Sequence, residues 1–399
     1  MSRPNVLVLI LAGGKGSRLE LLTKERAKPA LPFGANYRLI DFALSNCVHS
    51  HFSDVWIIEQ YQLHSLNDHL SNGRPWDLDR TYGGLQVLPP FSSQDDDNNS
   101  HGGFAEGNAD AIYRHRKLLR EYAPDVLVVL SADHIYKLDL RDVLEKHLKN
   151  DADLTMVTTR VDMEEASRFG VVKTNKKGRV TRFEYKSDNP PSDIATTEVF
   201  FYNAKVLLDT LEKIAGEEKL EDFGHQLVPQ LVKAGKVFDY RFEGYWRDVG
   251  TIESYYDAHM DLLREDPRLH LDDPKWPILS RGSGRVPARI HAGAHVENSL
   301  IASGCIVRGQ VINSVLSQGV IVEKGAVVRD SIVLPCAQIG KNAQVHRAIL
   351  DEYSNIGQNA KIGTASKARA TSENITLVSR AAQVAKGAKI KSGAHWQAG

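Results

Sequence analysis

From residue 1 to about 260, short apolar runs alternate with segments whose apolar residues recur at helical spacing. VLVLILA (6–12) comes first, then the helix-like DFALSNCVHS (41–50) and the run DVWIIEQ (54–60). NADAIYRHRKLLREY (108–122), DVLVVLSAD (125–133), RDVLEKHLKN (141–150) and DLTMVTTRV (153–161) continue the alternation. Strands that are apolar throughout are buried on both faces, as happens when helices cover both sides of a parallel sheet. The order therefore predicts an α/β fold with a doubly wound, mostly parallel, Rossmann-like sheet. In 108–122 the spacing predicts one helix, with Ala111, Ile112, Leu118 and Leu119 on its buried face. Such sheets bind ligands beyond the carboxyl ends of their strands, so Gly13–Arg18 and Asp133 are expected to meet there.

Two stretches break this pattern. PPFSSQDDDNNSHGGFAEGN (89–108) is polar, glycine-rich and without period, which marks a long loop and a candidate lid. DPRLHLDDPKWPILSRGSGRVP (266–287) is rich in Pro, Gly and Asp and reads as a linker. Beyond it aliphatic residues recur every sixth position, at Val315, Ile321, Val327, Val333, Ile339 and Val345. Leu300, Ile306 and Ile312 keep the interval in one shifted frame, and Leu350, Ile356 and Ile362 in another. Neither a helix nor an ordinary strand repeats at six, whereas a left-handed hexapeptide β-helix places one short strand per six residues. The expected organisation is a catalytic domain over 1–262, a linker over 263–287 and a β-helix domain over 288–399.

Composition narrows the partners. The 399 residues are 42% hydrophobic and 25% charged, with Lys+Arg and Asp+Glu equal at 50 each. No global field draws in nucleic acid or membrane, so neither is expected as a partner. An anionic ligand must instead be held by local cations. Cys47, Cys305 and Cys336 are odd in number and match no zinc spacing, which suggests reduced thiols and a cytoplasmic protein. The opening apolar run is a buried strand rather than a secretion signal, because GGKGSR follows it where a cleavage site would stand. No run approaches the roughly 18 apolar residues of a membrane helix.

The glycine loop LAGGKGSRL (11–19) is neither an ATPase P-loop nor a dinucleotide fingerprint: Gly16 follows Lys15, and Arg18–Leu19 stand at the third-glycine position. Its backbone at Leu11, Ala12, Gly13, Gly14, Gly16 and Ser17 is still suited to close approach by an oxyanion. Arg18, and Lys28 in RAKPA, supply neutralising charge. Such a loop suits attack at phosphorus rather than hydride transfer. Asp133, in SADHIY, follows an apolar strand, and Asp248, in YWRDVG, follows the strand-like segment 237–242. Two such carboxylates, joined in space, can hold Mg²⁺ against phosphate oxygens.

LAGGKGSRL, RAKPA, FG…YRLIDFALSN, ADHIY, FG (169–170), DFG (222–224), YWRDVGT and the hexapeptide repeat occur in that order. In these motifs the chain resembles the bacterial ADP-glucose pyrophosphorylases (glucose-1-phosphate adenylyltransferases), with YYDAHMDL (255–262) of actinobacterial type. The resemblance spans nearly everything except 89–108 and the C-terminal tail. It implies a Mg²⁺-dependent, homotetrameric, cytoplasmic transferase of glycogen and α-glucan biosynthesis that makes ADP-glucose and pyrophosphate from ATP and glucose 1-phosphate. By the same resemblance Arg18 neutralises the β- and γ-phosphates, Lys28 stabilises the leaving group or transition state, and Asp133 and Asp248 carry the metal. Gly107 and Asp110 join the nucleotide site, Lys186 holds the sugar phosphate, and Gly170, Asp222, Phe223 and Trp246 shape the sugar pocket. The sugar phosphate oxygen itself attacks the α-phosphorus, so catalysis reduces to positioning and charge neutralisation.

Several positions depart from the family pattern. Phe91, in Pro89-Pro90-Phe91-Ser92, replaces the glutamine that reads adenine; its ring packs on any base, so GTP is the alternative donor, with Gln94, Asp95 and Asn98 as polar candidates. The family's Glu-Lys-Pro is Tyr185-Lys186-Ser187, a glycine is Glu198 and a tyrosine is Phe200, so Glu184 or Glu198 is expected to supply the missing carboxylate. Glu25 stands where the enterobacterial form has an activator-binding lysine, and the basic C-terminal tail is missing, so activation by fructose 1,6-bisphosphate in that mode is not expected. Two other readings are a non-catalytic regulatory subunit, which usually lacks one of Arg18, Lys28, Asp133 or Asp248, and a bifunctional uridylyl- and acetyltransferase. The latter needs more coils and a catalytic histidine, for which His346 is the candidate.

Overall fold

Val6–Ala12 forms β1, the strand around which the first sheet is built. Leu7, Val8, Leu9 and Ile10 have no exposed surface, as an apolar strand covered on both faces requires. The structure, a computed structural model, describes residues 4–14, 16–90 and 105–397. Expectations placed on Phe91, Gln94, Asp95 and Asn98 lie outside these residues.

The sheet continues through β2 (Asp54–Glu59), β3 (Gly84–Leu88), β4 (Val126–Ser131), β5 (Leu154–Arg160), β6 (Gly170–Thr174), β7 (Val180–Tyr185), β8 (Ile194–Asn203) and β9 (Val237–Arg241). Its order is β7-β6-β8-β4-β1-β2-β3, with β5 pairing both β8 and β9. The strands β4, β1, β2 and β3 are mutually parallel, as the alternating pattern predicts. The long strand β8 runs antiparallel to β4 and β5 and joins this parallel half to the antiparallel pair β6–β7.

The single helix expected over 108–122 is two, α1 (Asn108–Arg114) and α2 (Arg116–Tyr122), with His115 between them at φ −92°, ψ 7°. Ala111, Ile112 and Leu119 are buried as expected, but Leu118 is exposed. Leu118 lies one residue, about 100° of helix rotation, from Leu119, so both cannot face the same core.

The described chain falls into two compact units: 1–14, 42–63 and 70–246 form one, and 15–41, 64–69 and 247–399 form the other. The second unit thus contains RAKPA, residues 247–251 of YWRDVGT and the hexapeptide repeat. Its β-helix has three six-stranded sheets of parallel strands. Successive coils advance by 15 residues (Ile306 to Ile321), then 17 (Ile321 to Gln338 and Gln338 to Asn355), then 28 (Asn355 to Gln383). The inward residues are Leu316, Val322, Val328, then Val333, Ile339, Val345, then Leu350, Ile356, Ile362, all with no exposed surface. Their spacing is six, six and five, one value per side of the coil. The unbroken run of sixes from Val315 to Val345 therefore mixes two frames: Ile321 and Val327 are partly exposed while their neighbours Val322 and Val328 face in. Among the described residues no helix is long and apolar enough to cross a membrane.

The segment 20–26 docks on this β-helix within the second unit. Arg26, 3% exposed, is ion-paired to Asp351, which is fully buried, and lies 3.2 Å from Glu352. Arg380 reaches both Glu352 at 3.5 Å and Glu25 at 3.9 Å.

Helix α3 (Ile252–Asp261) shows how YYDAHMDL and the FG of residues 33–34 fit together. His259 is fully buried, its ring 4.6 Å from Phe33 and 4.5 Å from Tyr255 between centroids. Its Nε2 accepts from the Gly34 amide at 3.3 Å and its Nδ1 pairs with the Tyr255 carbonyl at 2.8 Å. Only the neutral ring with the proton on Nδ1 satisfies both bonds, and burial lowers its pKa to about 4. The unfolded ring titrates near pH 6.5, so between pH 6.5 and 4 the unfolded chain binds the extra proton. The stability from the neutral ring is fully present above that window and is lost as pH falls through it. By pH 5 this loss should reach about 2 kcal/mol. Urea midpoints of wild type and His259→Gln should therefore converge between pH 7.5 and 5; parallel curves would rule out this assignment.

Candidate active site

In the second unit the glycine loop turns into a short 3₁₀ segment, Ser17–Thr23. Gly16 enters it at φ +66°, a backbone conformation that L side chains rarely adopt, and its carbonyl accepts from the Thr23 hydroxyl at 2.8 Å. This turn presents Arg18 on an exposed surface while Leu19 and Leu22 anchor it underneath. Lys28 opens the turn Lys28–Ala30 and is 8% exposed. Its Nζ lies 4.0 Å from Asp248 Oδ1, at the end of the short strand Trp246–Asp248.

Gly250 explains how the three groups are accommodated. A Cβ at this position would sit 2.9 Å from Asp248 Oδ2 and 3.1 Å from an Arg18 guanidinium nitrogen. Arg18, Lys28 and Asp248 are thus brought together, two cations around one carboxylate, a set suited to a polyanion. The motif WRDVG carried this signal, but a role for its last glycine was legible only from the geometry.

The first unit holds a second cluster. Asp133 follows β4, and the Ser131 hydroxyl donates to it. His134 lies buried beside it, with Nε2 3.7 Å from Asp133 and 4.0 Å from Glu198 Oε2, while Nδ1 pairs with the Thr197 carbonyl at 3.0 Å. That carbonyl can only accept, so the proton sits on Nδ1 and Nε2 faces the two carboxylates. Glu198 takes φ +55° in the middle of β8, where the register with β5 shifts between Thr196 and Phe200. The edge of Trp246 meets the His134 ring at 5.2 Å and the Phe169 ring at 5.3 Å between centroids. His134 belongs to this cluster although the sequence pointed only to Asp133; its place inside ADHIY was the available sign.

Around the same cluster, Lys186 Nζ lies 4.4 Å over the Tyr185 ring, and its backbone amide donates to the Phe169 carbonyl at 2.9 Å. The Tyr185 hydroxyl donates to Asp222 at 3.1 Å, and the Gly224 amide donates to the other Asp222 oxygen at 2.9 Å. Gly170 pairs with Tyr185 across β6 and β7. Other expected site residues have structural partners. Phe223 is 4% exposed and packs on Phe200 and Tyr202. Glu184 is ion-paired to Arg182. Asp110 accepts from the Glu106 amide at 3.0 Å and from Arg114 at 2.9 Å. Gly107 opens α1 and lies against the Glu221 carbonyl. Ala12 is buried, Leu11 and Gly13 are partly so, and Gly14 and Ser17 are exposed.

A sheet with a phosphate-type loop after its first strand, a cation pair beside an aspartate, and a following β-helix define the class of nucleotidyltransferases with a hexapeptide domain. Residues 7–265 match the family model "Nucleotidyl transferase", and residues 286–391 match "GlmU-like, C-terminal hexapeptide". The glucose-1-phosphate adenylyltransferases of Bacillus thuringiensis (strain Al Hakam), Bacillus cereus (strain Q1) and Bacillus anthracis are each 44% identical over 346 residues, 86% of this chain and 91% of theirs. The chain belongs to this nucleotidyl transferase family, in the group of the glucose-1-phosphate adenylyltransferases.

Filling the space at Gly250 separates Arg18 from Asp248 without touching the hydrophobic core. Gly250→Ala should lower turnover on the order of 10-fold or more, since misplacing charged groups weakens transition-state stabilisation. Its melting temperature should stay near that of wild type. Unchanged turnover would show that the two side chains do not act together.

Proposed function

We propose that this nucleotidyltransferase joins ATP and glucose 1-phosphate to give ADP-glucose and pyrophosphate, the activated glucose used for glycogen and α-glucan synthesis. The observation that carries this reading is the grouping of Arg18, Lys28 and Asp248 around Gly250, in a chain whose relatives bear the corresponding name. A phosphate oxygen of the sugar attacks the α-phosphorus, the bond from that phosphorus to the α–β bridging oxygen breaks, and pyrophosphate leaves with the electron pair. Arg18 neutralises the β- and γ-phosphates. Lys28, held in a largely buried position, meets the charge that grows on the leaving group. Lys186 binds the sugar phosphate, and the Tyr185–Asp222 pair and Trp246 line the sugar side.

Asp133 and Asp248 offer the hard oxygen donors that Mg²⁺ prefers, and the Ser131 hydroxyl orients Asp133. Bound there, Mg²⁺ would supply charge neutralisation at the phosphate oxygens. Glu198, beside His134, is the carboxylate best placed to replace the one missing from the sugar side. ATP is preferred to GTP on the names of the relatives. The three cysteines are unpaired, which supports a reducing, cytoplasmic setting. Val286 and Ile290, 72% and 54% exposed at the start of the β-helix, support assembly through that end, into the family's homotetramer.

Lys28→Ala or Asp133→Ala should reduce pyrophosphate release on the order of 10²–10³-fold, and a rate within a few-fold of wild type would refute the assignment. Lys186→Ala should raise KM for the sugar phosphate roughly ten- to a hundredfold and leave KM for the triphosphate little changed. Measured side by side, kcat/KM should favour ATP over GTP. The reverse preference would make the product GDP-glucose on the same machinery.

A further inference from the structure

The turn that carries Arg18 is bent just before it starts and again at its middle. Gly16 precedes it at φ +66°, and Glu20 follows at φ 49°, ψ −114°, where a side chain other than glycine is strained. A strained residue persists only where its surroundings hold it, and such residues cluster at functional sites. Glu20 is held from the far end of the same unit. His395, on the last short strand of the β-helix (His395–Trp396), places Nδ1 2.6 Å from Glu20 Oε2. A second tie lies beside it, where Lys24 Nζ donates to the Gln397 side chain at 3.2 Å. The strand is itself fixed to the preceding coil by the pairing of Leu377 with His395 and Val378 with Trp396.

Neither contact is needed to complete a core. Glu20 and His395 are both accessible to water, and the turn already has Leu19 and Leu22 buried beneath it. The pair instead acts on the one residue whose backbone departs from the rest of the turn, two positions after Arg18. We propose that His395 is a positioning residue for the triphosphate site: through Glu20 it fixes the bend that directs Arg18, so the last coil of the β-helix sets nucleotide affinity without touching substrate. This inference rests on the reading of Arg18 as a triphosphate ligand.

The test uses the full-length protein and four variants. His395→Ala removes the donor; His395→Asn keeps a nitrogen donor near the Nδ1 position. Glu20→Gly removes the carboxylate while easing the backbone, so misfolding is not its expected consequence. The fourth variant combines His395→Ala with Glu20→Gly. His395→Ala and Glu20→Gly should each raise KM for ATP about three- to fivefold, the scale of one solvent-accessible polar contact. KM for glucose 1-phosphate should stay within about 1.5-fold of wild type in both, since a contact this exposed adds little elsewhere. The double variant should be no worse than the more affected single one, and His395→Asn should recover most of the loss. A purely structural role would move both KM values and the melting temperature together, and that result would overturn the proposal. An unchanged KM for ATP, or additive effects in the double variant, would do the same. If wild type itself releases no pyrophosphate from ATP and glucose 1-phosphate, the substrate reading fails first and the positioning role falls with it.

Discussion

Arg26 is a guanidinium with almost no access to water, and the second unit is arranged around neutralising it. Asp351 and Glu352 supply the negative charge from one corner of the β-helix, and Arg38 and Arg380 border Glu352 in turn. Burial by itself pushes the Asp351 carboxyl above its usual range, and the neighbouring guanidinium opposes that shift. Removing one member of such a group leaves an uncompensated buried charge, which typically costs about 3–5 kcal/mol. Lys28 is two residues from Arg26 in the chain, so the ion cluster also fixes where the Lys28 side chain begins. The β-helix therefore anchors the segment that carries Arg26 and Lys28, as well as having its own core.

The two units divide the chemistry by charge. The second holds Arg18 and Lys28 beside Asp248, on turns anchored to the coils. The first holds Asp133, Glu198 and Asp222 among aromatic rings, with Lys186 over the Tyr185 ring. An enzyme that transfers a nucleotidyl group has no side-chain nucleophile to activate, so its residues must be held in place rather than made reactive. Several details serve that holding: Ser131 on Asp133, Thr197 on His134, and the open space at Gly250.

Two left-handed positions carry glutamates. Glu20 and Glu198 both take positive φ, one in the turn that carries Arg18 and one in a bulged strand, and both carboxylates contact a histidine. In each case the chain places a charged side chain where glycine would fit with less strain. Such a choice makes sense where the side chain is needed for more than the fold.

Much of this was legible in the residues alone. Continuous apolar runs can only be strands covered on both sides, so β1, β2, β4 and β5 and their parallel core followed from pattern. A period of six has no other regular solution, so the β-helix did too. LAGGKGSRL, RAKPA and YWRDVGT pointed to Arg18, Lys28 and Asp248 as candidates, and the structure brings these three side chains together. Other features depended on residues far apart in the chain. The antiparallel course of β8 is a matter of which edges pair, and the loss of one residue on one side of the 17-residue coils shows only when strands are stacked in register. The break at His115 and the exposure of Leu118 follow from packing around a rotated helix face. The pairing of Arg26 with Asp351, of Glu20 with His395, and the space shared at Gly250 join positions up to several hundred residues apart. Periodicity and motifs report neighbours along the chain; only the tertiary fold decides which distant charges share one low-dielectric or strained place.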